Sequence, residues 1–192
     1  MLKNEVLEFL GKIDAHVVQH HRAELGSQRF GLKIIGKCAL LLAGMNDSVG
    51  TVDLDSLRIE GGLPEETHRN VTDSLLAEFG RPKQVEHGYY LEFVMPAIVF
   101  LSQRATWIPL EGTWSSLSVE YLDPHENIAS KLFSAHSTPA RRKDRQDIVA
   151  ALDQGLVKLQ PVLDIADRIF DGHSMDARND RFPRVYEYIR DE

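Results

Sequence analysis

A single cysteine, Cys38, occurs among 192 residues. That excludes an internal disulfide and fits a chain kept reduced in the cytoplasm. Long apolar runs are missing as well. "CALLLAGM" and "FVMPAIVFL" are the longest, far short of the roughly 20 apolar residues that cross a bilayer. The N-terminal "MLKNEVLEFLGKIDAHVV" alternates charge with apolar residues at helical spacing, without the continuous apolar core and small-residue cleavage site of a signal peptide. No membrane association is expected. Excess positive charge is also lacking: 29 acidic against 22 basic residues give a net charge of −7, which argues against a general nucleic-acid binder. The basic stretch "ARRKDRQ" at 140–146 leaves a small anionic ligand or a short RNA contact open. The lone Cys and eight scattered His suggest no ligand-pair spacing, so zinc is not expected.

What is present is ordinary globular material, 43% apolar and 27% charged, enough for one domain with a modest helical appendage. Leu2, Val6, Phe9, Leu10, Ile13 and Val17 recur every three to four residues and predict a helix over about 2–24. "GSQRFG" punctuates the chain, "LKII" is a short strand ended by Gly36, and "KCALLLAGM" is an apolar helix. "NDSVG" then loops into the strand "TVDLDSL". A helix from Pro64 to Phe79 has Pro at its start and Gly80 beyond its end. "KQVEHGYYLEFVM", "AIVFLSQ" and "SLSVEYL" read as β-type segments. From Asp123 the pattern turns helical, with Asp123 as N-cap, Pro124 as first helical residue and Glu126 as capping-box partner. Helices over 140–155 and 159–172 follow, and "FPRVYEYIRDE" (182–192) adds another. The expected fold class is α/β, in the α+β sense: a small mixed sheet with packed helices over 1–122, and a helical C-terminal part over 123–192 packed on it.

One strand carries unusual chemistry. Residues two apart on a strand face the same side, so Asp53 and Asp55 present their carboxylates together while Val52 and Leu54 turn to the core. Two such charges repel and raise each other's pKa unless a cation neutralises them. Oxygen ligands of this kind suit Mg2+ or Mn2+. An isolated D-x-D is more often an ordinary half-exposed strand, so its context decides.

That context resembles a family. A strand ending in a Gly turn, an apolar helix, a short loop and T-x-D-x-D is the nucleotidyltransferase pattern of the DNA polymerase beta superfamily. It is closest to the AbiEii-like branch, which includes bacterial toxins and abortive-infection proteins. The resemblance covers roughly residues 30–160. It implies that Asp53 and Asp55 bind metal, with a third acid on a later strand; Glu92 in "YYLEFVM" is the candidate and Glu120 in "LSVEYL" its rival. Gly36, Lys37 and Thr51 fall in the nucleotide-binding motifs. Lys37 departs from the family, which has a small residue there; its ammonium either contacts phosphate or blocks the approach. The stretch 122–152 resembles a helix bearing a Lys followed by an Arg/Lys-Asp-x-x-Asp helix. Carried over, Lys131 contacts nucleotide phosphate, Arg142 supports binding, and Asp144 or Asp147 orients partners or acts as base. An acid beside Ile148 and Leu152 also needs a buried partner, Lys131 or Arg142, and a plain helix–helix ion pair between Lys131 and Asp147 is the competing reading.

The resemblance therefore implies a Mg2+- or Mn2+-dependent enzyme that moves an NMP from an NTP to a hydroxyl of RNA or protein, in the manner of a toxin with an antitoxin-like partner protein. A catalytically inactive binding module on the same fold, with Lys37 neutralising Asp53, and a metal-dependent phosphohydrolase are the alternatives. Other residues read more plainly. Cys38 belongs to the core, Ser48 and Ser56 lack triad partners, Arg58 is an exposed strand-end residue, and Trp107 and Trp114 pack over the sheet.

Overall fold

The stripe Val6, Phe9, Leu10, Ile13 and Val17 is buried along one side of α1 (Lys3–Leu25), while Leu2 sits outside the helix as its N-cap and is exposed. These residues belong to a computed structural model that describes residues 1–46, 50–58, 62–135 and 142–171. The predicted helix over 182–192 and Ser48 lie outside the described residues. The architecture is mixed α/β: a five-stranded sheet in the order β3-β2-β1-β5-β4 with helices packed on it.

β1 (Phe30–Ile34) is central. It runs antiparallel to β2 (Asp53–Leu57) and parallel to β5 (Leu117–Leu122). β2 is parallel to β3 (Tyr90–Val94), and β4 (Trp107–Pro109) closes the far edge against β5. Pro109 suits that edge, where a missing N–H breaks no ladder. The helices between strands are α2 (Gly36–Leu42), α3 (Glu65–Phe79) and the short α4 (Gln84–His87); α5 (Pro124–Ala135), α6 (Arg142–Asp153) and α7 (Leu159–Asp171) follow the sheet.

Register sorts the two faces. Residues directly opposite on neighbouring strands project to the same side. Leu32 pairs Val119, Leu54 pairs Leu91, and all four are buried, in one apolar cluster with α1, α3 and the helices after β5. That cluster runs from Met1 to Ile169 and draws Ile128 and Leu132 from α5, Ile148 from α6 and Ile165 from α7. Asp55 pairs Glu92, and Lys33 pairs both Leu57 and Glu120, so the acids lie on the opposite, more open face. There a smaller cluster of Ile35, Leu57 and Leu122 is covered by Val99, Leu101 and Trp107.

Several expectations are corrected. Of "KQVEHGYYLEFVM" only Tyr90–Val94 is strand. Gln84–His87 is helical and stops at Gly88, whose φ of +77° gives the left-handed cap that glycine adopts without strain. "AIVFLSQ" contains no strand: Pro96–Ile98 form a 3-10 turn, and Val99 and Leu101 are spent covering the open face. Val52 is 45% exposed, because regular alternation begins only at Asp53. Asp123 caps α5, accepting from the N–H of His125 at 2.9 Å. Glu126 instead accepts from the Ser102 hydroxyl at 2.8 Å, and the Asp123 N–H goes to the Thr106 carbonyl. The histidine expectation also fails: His16 and His20 stand four apart on α1 with ring centroids 4.5 Å apart.

One buried carboxylate ties the first helix to the last strand. Asp14 accepts backbone N–H bonds from Ser115, Ser116 and Leu117 at 2.9, 2.8 and 3.0 Å, which fixes where β5 begins. Removing the acceptor strands these donors at a buried site. Asp14→Ala is expected to lower unfolding free energy by about 3 kcal/mol, read by urea denaturation. A loss under ~0.5 kcal/mol, the size of an ordinary surface change, would mean that β5 is set by its strand partners alone.

Candidate active site

The short connection from β1 into α2 brings the Gly turn onto the acids. Gly36 has φ +66°, and a Cβ there would lie 3.1 Å from Asp55 Oδ2. Only glycine takes that backbone without strain while leaving room for the carboxylate. The Ile35 N–H donates to the Asp55 carbonyl at 3.0 Å, so the β1–β2 ladder reaches the turn. Asn127, on α5, donates its Nδ2–H to the Gly36 carbonyl at 2.7 Å and fastens the turn from the other side. The Thr51 hydroxyl donates to Asp53 Oδ1, and the Cys38 thiol donates to the Asp53 carbonyl at 3.2 Å.

Glu92 stands in register with Asp55 on the adjacent parallel strand, so Asp53, Asp55 and Glu92 share one face. Glu120 is elsewhere, two strands across on β5, with its Oε2 3.2 Å from Lys33 Nζ. Asp55 carries the strain of this crowding. Burial foremost, then the Asp53 and Glu92 charges, push its carboxyl up to about 7, while Lys131 pulls the other way. Burial, with Asp55 and Asp53 beside it, also pushes the Cys38 thiol up, so Cys38 is no nucleophile at neutral pH.

Across from the strands, α5 and α6 supply a charged wall. Lys131 Nζ lies 2.7 Å from Asp144 Oδ1 and 2.9 Å from Asp147 Oδ2. Lys37 Nζ lies 3.4 Å from Asp147 Oδ1. Burial alone would lower the Lys131 pKa, but the Asp147 and Asp144 carboxylates outweigh it and hold the ammonium charged. Asp147, only 3% exposed, thus has the buried partner that its apolar neighbours require. Arg142 opens α6, and its side chain lies outside the described residues.

Two hollows meet at the acids. One, of about 370 Å³, is lined on its far side by Lys37, Lys143, Gln146 and Asp147. The other, of about 300 Å³, has Glu92, Asn127 and Ser130 above Ile35, Val94 and Leu122. Gly36, Asp53, Asp55, Lys131 and Asp144 border both. Each lies at the small end of the range for ligand sites. Of the residues expected from sequence, Gly36, Lys37, Thr51, Asp53, Asp55, Glu92, Lys131, Asp144 and Asp147 come together here. Glu120 and both tryptophans do not: Trp107 lies under Lys33, 4.6 Å from ring centroid to Nζ, and Trp114 packs on the main core. Asn127 and Ser130 went unread, although Asn127 sits one helical turn before Lys131 and shares its face.

The donor set suits a hard divalent cation. Asp53, Asp55 and Glu92 offer oxygen ligands, and burial together with the Asp53 and Glu92 charges raises the proton affinity of Asp55. Among the described residues no three His, Cys, Asp or Glu side chains are already gathered as a ligand cage. Mg2+ needs none, since it is held by one or two carboxylates and keeps several waters.

The raised Asp55 pKa fixes a pH dependence. Its folded value lies above the unfolded one near 3.8, so protonation stabilises the metal-free fold below that value, and this contribution is lost as pH rises through about 7. In EDTA, Asp55→Asn is expected to unfold at higher urea than the parent at pH 8, by on the order of 4 kcal/mol at most. The gap should shrink towards pH 5. Parallel stability curves for the two proteins would show that Asp55 titrates as an ordinary surface carboxylate.

Comparison of the chain with protein-family models, with curated proteins and with solved structures finds no match.

Proposed function

We propose that the cleft is a metal-dependent nucleotidyltransferase site that moves an NMP from an NTP to a hydroxyl of RNA or protein. The observation that carries this reading is the β2–β3 register, which sets Glu92 beside Asp55 on the face already occupied by Asp53. Three acids from two strands far apart in sequence thus share one face, which supports the third-acid role that the resemblance implies for Glu92. The Gly36 turn, Lys131 and the Asp144–Asp147 pair then border the same space.

Roles follow from position. Asp53, Asp55 and Glu92 would hold Mg2+ or Mn2+, and such ions act as Lewis acids that neutralise charge on the transferring phosphoryl group. Lys131 presents a buried ammonium towards a triphosphate, oriented by Asp144 and Asp147. Lys37 and the Gly36 turn border the phosphate side, and Thr51 fixes the Asp53 carboxylate. Glu92 is exposed and stands where an acceptor hydroxyl can reach it, so it serves as the group that takes the hydroxyl proton. Phosphoryl-type transfer depends on positioning and charge neutralisation more than on covalent chemistry by the protein.

The inactive-module alternative predicts Lys37 within reach of Asp53; Lys37 pairs with Asp147, and ligand binding decides between the two readings. The phosphohydrolase alternative uses the same acids and differs in product. Incubating the protein with each NTP and Mg2+ or Mn2+, with total RNA or protein as acceptor, separates the readings. Pyrophosphate and a labelled acceptor are expected, with Asp53→Asn and Asp55→Asn each slowing transfer at least ~100-fold. Inorganic phosphate without pyrophosphate means hydrolysis. If no nucleotide plus metal raises the melting temperature of the parent protein, the transferase reading fails and the module reading stands.

A further inference from the structure

On the helix side of the sheet, away from the acids, α1 carries a second group of chemistry-bearing side chains. His16 and His20 lie one turn apart on one helix face, with rings 4.5 Å centroid to centroid and 43° between their planes. The His21 ring is 6.4 Å from that of His16. His16 Nε2 is 2.9 Å from the Ser74 hydroxyl of α3, and its ring meets the Phe79 ring edge-on at 5.4 Å. His16 is half-buried in this seam, and His20 is exposed.

We infer that His16 and His20 form a two-imidazole chelate for a divalent transition ion of the Zn2+, Ni2+ and Cu2+ class. Imidazole nitrogen is a preferred ligand of these ions, whereas Mg2+ prefers oxygen. Two histidines at i and i+4 is the spacing by which a helix offers both rings to one ion. His16 Nε2 is held 2.9 Å from the Ser74 hydroxyl, which orients the ring; in the tautomer that donates Nε2–H to Ser74, Nδ1 carries the lone pair. Glu78 is close enough to act on His16 electrostatically, which adds a compensating negative charge at the site. Because no third ligand is gathered among the described residues, water fills the remaining positions, and the affinity is that of a helix chelate rather than of a closed structural site.

The spacing of the two rings exists only while α1 is helical and docked through Ser74. An ion held there therefore binds the native state in preference to the unfolded chain and stabilises it by mass action. It does so independently of the cleft, whose donors are all oxygens on the opposite face.

The test uses untagged, full-length protein stripped with EDTA and titrated with NiCl2 by calorimetry and thermal melting. A Ni2+ site at the histidine pair is expected beyond any ion held by the cleft acids, with a melting temperature raised by roughly 3–6 °C at a tenfold excess of free ion over its Kd. His20→Gln, a change at an exposed side chain, should weaken binding at least tenfold and remove the shift. Asp53→Asn, in the cleft, should leave both unchanged. Undiminished binding in His20→Gln overturns the proposal, and so does binding lost only in Asp53→Asn, which would place the ion among the acids. Absence of heat and of any shift with Ni2+, Cu2+ and Zn2+ overturns it equally.

Discussion

The Asp55 carboxyl is buried beside Asp53 and Glu92, and much of the surrounding chain is arranged about that burial and repulsion. Gly36 has no side chain where Asp55 needs room. Thr51 and Cys38 donate to Asp53 and hold its strand end. Lys131 supplies the nearby positive charge but divides it with Asp144 and Asp147. The α5–α6 wall thus carries Lys131 shared between Asp144 and Asp147, and the strands carry Asp53, Asp55 and Glu92, with two hollows between them.

The sheet can present its acids because it buries only one face heavily. Leu32, Leu54 and Leu91 anchor the β1–β3 side on helices, and Leu117 and Val119 do so for β5. Burying a leucine contributes about 2 kcal/mol, and this layer fixes the strands firmly enough to hold three carboxylates on the other side. A slip of one residue between β2 and β3 would turn Glu92 into the core and Leu91 out. The packing layer thus sets the register, and the register sets the site.

Much of this was legible in the chain. The D-x-D strand and the Gly turn are read from spacing, the Lys131 and Asp144–Asp147 helices from the family resemblance, and the period-two pattern of β3 puts Glu92 rather than Leu91 on the open side. The choice between Glu92 and Glu120 was not legible, because both lie on alternating strands; which strand neighbours β2 is a matter of topology. Nor could spacing show that Lys37 would meet Asp147, a contact between α2 and α6. "KQVEHG" misled because valine favours strands, while the deciding signal was the glycine that ends a helical turn. "AIVFLSQ" misled because its apolar residues cover a sheet face instead of joining the sheet. The His16–His20 pair was visible as a spacing and was passed over, since isolated histidines on a helix rarely signal anything.

Sheet order also bears on how the molecule comes into being on the ribosome. The central strand β1 is made early, yet its parallel neighbour β5 is completed only at Leu122, and Asp14 waits as long for the backbone it clamps. Until then the nascent chain has the residues of β1, β2 and β3 without their far half, and Lys131 is not yet made. Lys131, Asp144 and Asp147 emerge later still. The strand carboxylates are therefore synthesised before the wall that opposes them, so any chemistry that needs both waits for α6.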